Sequence, residues 1–324
     1  MKTRRLGKTG YEVSEIGLGC WQLGGDFGPV GNETANAILD AANAAGVSFW
    51  DTADVYGNGL SERRIGAHPK AAGVHVATKL GRSGALFPDK YTREGVRQSL
   101  VGSAERLGVA TLDLAQLHCV PPQVLRDGAI FGWMDEFRAE GLVRHWGASV
   151  ETIEEGLICL EQPGCATLQV IFNLFRQDAA KELLPRAAEK DVGIIVRLPL
   201  ASGLLSGKFD KTTRFDASDH RNYNRDGQAF SVGETFSGIP FERGVELVAE
   251  LRGLAPEGMP MSQFALRWIL DHPQVSTIIA GVSKPEQLAD NVAASEQKSL
   301  FPALMTTLAD WYEREVKPDI RGGV

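Results

Sequence analysis

Four side chains able to move protons occur where three successive predicted strands end. Asp51 and Tyr56 lie in FWDTADVYG (49–57), Lys79 lies in VATKL (76–80), and His118 ends LDLAQLH (112–118). Because the carboxyl ends of parallel strands meet at one face of a barrel, we expect the four side chains to lie close together. An ammonium at the end of a buried strand needs a carboxylate nearby, and Asp51 on the adjacent strand would supply it.

This combination of groups is suited to the protonation of a carbonyl oxygen. We expect Lys79 to approach Tyr56 and to lower its pKa by favouring the phenolate. A phenol tuned in this way can give its proton to a carbonyl oxygen while a hydride reaches the carbon, and a neutral His118 ring would orient that oxygen. No metal is needed. Each residue alone also has a structural interpretation: Asp51 as a loop cap, Tyr56 as a packed aromatic, and Lys79 and His118 as solvated rim residues.

The elements that must position these residues alternate between short apolar runs and amphipathic stretches. Such strand–helix alternation is typical of a parallel sheet, and eight units over 324 residues favour a closed (β/α)8 TIM barrel formed by one domain, residues 1–324. We expect an N-terminal β-hairpin (2–6 and 12–14) and an extra C-terminal helix (299–316). The predicted barrel strands are 16–19, 47–51, 74–79, 112–118, 143–149, 168–173, 193–198 and 276–280, and the helices with clear start signals are 35–45, 93–107, 178–190 and one beginning at 285.

Composition and missing motifs narrow the function classes. A net charge of −7 makes nucleic acid or an anionic membrane surface an unexpected partner. Four cysteines without a CxxC pair, and an N-terminus without an apolar core, predict a reduced, cytoplasmic protein without a cysteine metal site. The metalloprotease, nucleophile-elbow, P-loop and YxxxK motifs are absent, as is the GxGxxG fingerprint. A nicotinamide cofactor would therefore bind without a Rossmann motif.

The segment FWDTADVYGNGLSERRIG resembles the Asp/Tyr signature of the aldo-keto reductase superfamily, VATKL its lysine segment and LDLAQLH its histidine segment. The resemblance covers nearly the whole chain. It implies reduction of aldehydes or ketones to alcohols by hydride transfer from NADPH, with Asp51, Tyr56, Lys79 and His118 as the catalytic residues and Tyr56 as the general acid. One departure is Cys119, which stands where the family often has an aromatic residue.

The resemblance also implies a cofactor site in the second half of the barrel. Ser149 and Gln169 would bind the carboxamide, although Val150 replaces the Asn that follows the serine in many members. Arg197 takes the nicotinamide-stacking position, which is commonly aromatic; a guanidinium can stack as well, and its charge should matter more against NADP⁺ than against NADPH. The full predicted set is Gly19, Cys20, Trp21, Asp51, Ser149, Gln169, Arg197, Pro199, Leu200, Ser202, Gly203, Leu204, Ser206, Lys208, Gly281, Val282, Ser283, Lys284, Gln287, Asp290 and Asn291.

Within that set, Ser283 and Lys284 fall at a predicted helix N-terminus, which favours anions, and the resemblance assigns them to the adenosine 2′-phosphate. Some members carry Arg where this chain has Gln287. NADPH/NADP⁺ is therefore the expected cofactor, with NADH as the alternative.

We expect the substrate pocket to be lined by Trp21, Val55, Tyr56 and His118, with the loop 201–239 and the C-terminal helix as walls. The expected partner is a small-molecule carbonyl compound, and the expected assembly is a monomer or weak homo-oligomer. Two alternatives stay open. One is an NAD(P)-dependent sugar or hydroxy-compound dehydrogenase working in the oxidative direction, and the other is a non-catalytic NADPH-sensing binding protein.

Overall fold

Eight parallel strands close into a barrel in the computed structural model, which describes residues 1–25, 27–28, 30–70 and 73–323. The barrel strands pair in chain order, and the last pairs with the first, so the predicted (β/α)8 barrel is confirmed. The strands are β1 (Thr3–Arg5), β2 (Glu12–Ser14), β3 (Ile16–Gly19), β4 (Phe49–Asp51), β5 (His75–Leu80), β6 (Leu112–His118), β7 (Val143–Ser149), β8 (Cys165–Ile171), β9 (Gly193–Arg197) and β10 (Val275–Gly281).

The strands β1 and β2 form the predicted antiparallel hairpin outside the barrel, with Thr3 opposite Ser14. The turn between them packs on the N-terminal end of β9. Gly7 has a φ of +50°, and a Cβ there would collide with the backbone of Gly193. Glycine is required at this close approach, which fixes the hairpin as a cover on the end of the barrel opposite the predicted site.

Helices cover the outside of the barrel. Thr92 caps α3, its hydroxyl accepting from the Gly95 amide at 3.1 Å, and Gly108 ends that helix at a φ of +67°, as the sequence predicts. The helices are α1 (Asn32–Ala44), α2 (Leu60–Ala67), α3 (Arg93–Leu107), α4 (Pro122–Asp127), α5 (Ala129–Ala139), α6 (Ile153–Leu160), α7 (Leu183–Glu189), α8 (His220–Tyr223), α9 (Phe241–Arg252), α10 (Met261–Leu270), α11 (Pro285–Val292) and α12 (Pro302–Trp311).

The prediction of one continuous helix over residues 178–190 is wrong. A single 3₁₀ turn, Asp178–Ala180, is followed by α7 from Leu183 to Glu189. Pro185 explains the break, because it has no N–H to donate to the carbonyl four residues earlier and is tolerated only in the first turn of a helix.

The inward faces of the strands explain how the site is placed. Side chains alternate between the two faces of a strand, so Asp51 lies on the same face of β4 as Phe49, and Lys79 on the same face of β5 as Ala77. Phe49 and Ala77 belong to a buried apolar cluster inside the barrel, together with Leu114, Ile195 and Ile279. The polar layer lies one step further along the same strands and therefore faces the carboxyl end of the barrel.

The long loop after β9 has short helical turns at Ala201–Ser206, His220–Tyr223, Val232–Glu234 and Phe236–Gly238. The predicted C-terminal helix is present as α12, which continues as a π turn over Tyr312–Val316. It packs on the outside of the barrel, where the Trp311 indole donates to Glu250 at 3.0 Å and the Tyr312 hydroxyl donates to Asp178 at 2.5 Å. Among the described helices, none has the length and apolar character to cross a membrane.

Candidate active site

A buried lysine connects two of the predicted catalytic residues. The Lys79 ammonium is inaccessible to solvent and donates to the Asp51 carboxylate, to the Thr52 carbonyl at 2.9 Å and to the Tyr56 hydroxyl at 3.2 Å. These three acceptors satisfy all the protons of an ammonium. The strand ends therefore form a continuous hydrogen-bonded chain from Asp51 through Lys79 to Tyr56.

Two amides hold the Asp51 carboxylate from the other side. Gln116 and Gln169 both donate to Asp51 Oδ2, at 3.0 and 2.8 Å. Gln116 was not among the predicted site residues, although the signal was available. It precedes His118 by two residues on β6 and so shares its face. Gln169, predicted only for the cofactor, also links the acid–base groups to the opposite wall of the barrel.

The charge states favour proton donation by Tyr56. Despite burial, Asp51 and Tyr56 hold the pKa of Lys79 above its usual value, so Lys79 is an ammonium at neutral pH. The expected net lowering of the Tyr56 pKa is wrong: burial raises the pKa of Tyr56 to about 12, and Lys79 opposes this shift without reversing it. Tyr56 is consequently a protonated phenol beside a cation that stabilises its conjugate base.

His118 lies across from Tyr56, with the two rings perpendicular and their centroids 5.9 Å apart. Burial, together with the positive charges of Lys79, Arg82 and Arg197, lowers the pKa of His118 well below its usual value, so the ring is neutral. Its Nδ1 is buried and has no hydrogen-bond partner among the described groups. His118 lines the cavity described below, and a neutral imidazole ring there is suited to orienting a polar ligand atom.

The site opens into a cavity of about 920 Å³ that runs along the carboxyl ends of the strands. All four predicted pocket residues, Trp21, Val55, Tyr56 and His118, line it. So do most of the predicted cofactor residues, namely Gly19, Cys20, Trp21, Asp51, Ser149, Gln169, Arg197, Pro199, Leu200, Ser202, Gly203, Ser206, Lys208, Gly281, Ser283, Gln287, Asp290 and Asn291.

Three predicted cofactor residues lie outside this lining. Leu204 and Val282 are buried in the hydrophobic core, because their apolar side chains pack inward while their neighbours face the cavity. Lys284 is exposed beside the N-terminus of α11. The Gln287 side-chain oxygen accepts there from the Ser283 amide at 2.8 Å, the Ser283 hydroxyl at 3.1 Å and the Lys284 amide at 3.2 Å. The predicted anion site is thus capped by a neutral side chain of the same helix.

The second half of the cavity wall contains a buried ionic network. Arg197 is the one member of this network that was predicted from the sequence. The Glu234 carboxylate lies 3.4 Å from Arg197 Nη1 and accepts from Arg82 Nη1 at 3.2 Å. Arg82 also lies 3.4 Å from Glu151. The residues missed here, Arg82, Glu151 and Glu234, come from three separate loops, and no local pattern in the sequence connects them.

Aromatic side chains form the mouth of the cavity. Trp21 stacks on Tyr56 with ring centroids 5.7 Å apart and contacts Phe27 edge-on at 4.9 Å. From the loop 201–239, Tyr223 and Phe230 line the same mouth, as predicted for this loop. The expectation that the C-terminal helix is also a wall is wrong: α12 contributes no residue to the lining among the described positions, because it packs against the outside of the barrel.

The cavity fits the nicotinamide cofactor that the sequence predicts. Three of the residues that line it carry a buried polar atom without a partner among the described groups, namely Gln22 Oε1, His118 Nδ1 and Arg197 Nε. Ser149 and Gln169 are joined only by a long 3.4 Å hydrogen bond and could turn to a carboxamide. Potential metal ligands also cluster, with one ligand atom each from Cys119, Glu151 and Glu234 within 4.8 Å of one another. Guanidinium groups compensate the two carboxylates, so the cluster is an ionic network.

Comparisons with known proteins agree with this geometry. A glycerol dehydrogenase from Gluconobacter oxydans has a solved structure that superposes with a TM-score of 0.78 at 27% identity, covering 100% of this chain and 98% of that one. A probable voltage-gated potassium channel subunit beta from Oryza sativa is 30% identical, over 98% of this chain and 97% of its own length. The aldo-keto reductase YhdN of Bacillus subtilis is 29% identical, over 96% of both chains. The model of the Aldo/keto reductase family matches residues 15–310, and the chain is therefore an oxidoreductase that belongs to this family.

Proposed function

We propose that this protein reduces aldehydes or ketones to alcohols with NADPH and that Tyr56 supplies the proton. The observation that carries the proposal is the hydrogen-bonded chain from Asp51 through Lys79 to the Tyr56 hydroxyl, which ends beside a neutral His118 at the wall of a large cavity. A protonated phenol held by a buried ammonium is arranged to give up its proton, because the cation stabilises the phenolate that forms.

The roles of the chain's own residues follow from this arrangement. His118 orients the carbonyl oxygen between its ring and Tyr56, and the phenol proton passes from Tyr56 Oη to that oxygen. Lys79 stabilises the resulting phenolate, and Asp51 keeps Lys79 charged and in place. The bound cofactor supplies the hydride for the carbonyl carbon, so that hydride and proton together complete a two-electron reduction. Trp21 and the aromatic mouth exclude water around the reacting carbonyl.

The cofactor would lie along the second half of the barrel. Ser149 and Gln169 would bind the carboxamide and Arg197 the nicotinamide face, while residues 199–208 would follow the pyrophosphate and residues 281–291 the adenosine. Lys284 beside α11 is the cation that supports a preference for NADPH over NADH, whereas Lys208 at the cavity wall would face the pyrophosphate that both cofactors share. Since Gln287 caps α11, a 2′-phosphate would have to displace its side chain from the Ser283 and Lys284 amides.

The likeness to a glycerol dehydrogenase makes oxidation of a hydroxy compound by the same residues the second candidate. The likeness to a potassium channel β subunit keeps the NADPH-sensing alternative open as well. Turnover separates the three functions. We would titrate the protein with NADPH and NADH by fluorescence, add a panel of small aldehydes and ketones, and follow the loss of NADPH absorbance. Binding of NADPH with turnover is expected. Failure to bind either cofactor would contradict the proposal, and binding without turnover of any carbonyl or alcohol would favour the sensing protein.

A further inference from the structure

Arg197 is a buried cation at the part of the cavity assigned above to the nicotinamide ring. Its guanidinium donates to the Val150 carbonyl at 3.0 Å through Nη2, and Nη1 lies 3.4 Å from Glu234. Its Nε is buried without a partner in the described part of the chain. Arg197 is therefore held by the Val150 carbonyl and by Glu234, which itself lines the cavity, and its positive charge lies next to whatever ring occupies the cavity.

Glu234 reaches this position from the loop 201–239 and not from a barrel strand. The loop fixes it there, since the Ser202 hydroxyl donates to the Glu234 carbonyl at 3.4 Å and accepts from the Phe236 amide at 3.2 Å. Burial alone would raise the pKa of Glu234, but Arg197 and Arg82 outweigh it and hold the pKa below its usual value. The carboxylate is consequently ionised at neutral pH and cancels one of two adjacent positive charges.

The charges of the buried groups around Arg197 and Lys79 then balance. Arg82 and Arg197 are compensated by Glu151 and Glu234, and the Lys79 ammonium by Asp51, while His118 is neutral. Loss of the Glu234 charge would leave one uncompensated positive charge at the wall. That charge would repel the oxidised nicotinamide ring, which is cationic, and would leave the neutral reduced ring nearly unaffected. Only the oxidised form of the cofactor senses the change.

We propose that Glu234 is a specificity-determining residue that sets the relative affinity of this protein for oxidised and reduced cofactor. By linkage, the ratio of the two dissociation constants fixes the equilibrium between the two forms when bound. Glu234 thus makes NADP⁺ an acceptable ligand beside a guanidinium and allows the same site to work in the oxidative direction. This inference depends on the proposed function, because it requires the nicotinamide to lie at Arg197.

The test is a set of binding titrations with NADP⁺ and NADPH that need no turnover. Glu234→Gln should raise the NADP⁺ dissociation constant relative to that of NADPH by about tenfold or more. Glu234→Asp keeps the charge and should retain the wild-type ratio. Arg197→Gln leaves Glu234 paired with Arg82 but gives the network of Arg82, Glu151 and Glu234 one excess negative charge, so it should shift the ratio in the opposite direction, toward NADP⁺. Calorimetry or cofactor fluorescence gives both dissociation constants for each variant.

A matched control is Glu161→Gln. Glu161 lies outside the cavity at the protein surface and forms ion pairs with both Arg186 and Lys190. This substitution should leave the ratio unchanged. If wild type binds both cofactors and Glu234→Gln weakens them equally, Glu234 only holds the loop and the inference is wrong. If wild type binds neither, the proposed function fails with it. Should Glu234→Gln fail to fold, the opposite shift in Arg197→Gln still decides, since an unchanged ratio there also overturns the inference.

Discussion

The two halves of the cavity wall are built in different ways. On the first four barrel strands, Asp51, Lys79 and Tyr56 are tied directly to one another, and the buried ammonium is fully hydrogen-bonded. On the later strands, the Ser149 hydroxyl makes a 3.4 Å hydrogen bond to Gln169 and a 3.9 Å contact with Cys119 Sγ. Arg197 Nε has no partner in the described part of the chain, and Glu234 reaches Arg197 from a loop. The first half is preorganised without a ligand, whereas the second half holds groups still available to one. Preorganised donors are expected where charge develops during a reaction.

The largest effect should come from the group at the end of the preorganised chain. Tyr56→Phe removes the proton donor and should lower kcat by roughly 10²–10⁴, the range typical of general acid catalysis. The NADPH dissociation constant should stay within about twofold of the wild-type value, because Phe keeps the aromatic ring of Tyr56 and the residues assigned to the cofactor are unchanged. Steady-state kinetics and a cofactor titration measure both. Tyr11→Phe, which removes a phenol near the hairpin end of the barrel, is the matched control and should leave kcat unchanged.

The second effect concerns stability and separates the two halves directly. Asp51→Asn leaves the buried Lys79 ammonium without its carboxylate and should lower the free energy of unfolding by about 3–5 kcal/mol. Ser149→Ala loses only a long hydrogen bond and should cost less than about 1 kcal/mol. Urea denaturation at pH 7.5 gives both values. Equal losses for the two variants would show that the first half is no more tightly organised than the second.

The third effect appears when the pH is lowered. Because burial and nearby cations lower the pKa of His118, the folded protein does not take up the proton that the unfolded chain binds below a pH of about 6.5. His118 alone should therefore lower the free energy of unfolding by about 1.4 kcal/mol per pH unit below that value until its folded pKa is reached. His220 and His272, whose pKa values burial also lowers, add to this dependence. His118→Gln should flatten this dependence in urea denaturation between pH 5 and 7.5. His145→Gln removes a partly buried ring elsewhere on the barrel and should flatten the pH dependence of stability less. If the two variants show the same dependence of stability on pH, the neutral, buried state of His118 is refuted.

The smallest effect tests the second half of the cavity wall, at the end where the adenosine would bind. Lys284→Ala removes an exposed cation, and exposed charges contribute only about 0.2–1 kcal/mol. NADPH binding should therefore weaken by up to about fivefold while NADH binding stays the same. Calorimetric titration with both cofactors measures the difference, and an equal loss for both would remove the 2′-phosphate assignment. Gln287→Ala is a useful companion, because it frees the Ser283 and Lys284 amides and should strengthen NADPH binding.

The preorganised half was the more predictable one. The order of the predicted strands placed Asp51, Lys79 and His118 at successive strand ends, and the structure brings them together with Tyr56. Gln116 could also have been predicted, because it shares the face of His118 on β6. The net shift of the Tyr56 pKa could not, because it depends on how deeply the phenol is buried, which the sequence pattern does not reveal.

The second half of the cavity wall was predictable only through family resemblance. The positions of Arg82, Glu151 and Glu234 depend on how three loops meet, and the path of the loop 201–239 follows from tertiary packing and not from a repeating pattern. The same limit applies to the C-terminal helix. Its amphipathic sequence predicted a helix correctly, but the face of the barrel that it covers is decided by contacts such as the hydrogen bond from Trp311 to Glu250.

The most direct test of the account follows a label from cofactor to product. The wild-type protein would be mixed in ordinary water with NADPH carrying two deuterium atoms at C4 and with a carbonyl compound that it consumes, and the alcohol would be analysed by mass spectrometry. One deuterium is expected on the carbinol carbon and none on the hydroxyl group, whose proton exchanges with the solvent. An alcohol without deuterium on that carbon, or no alcohol at all despite bound NADPH, would contradict the account.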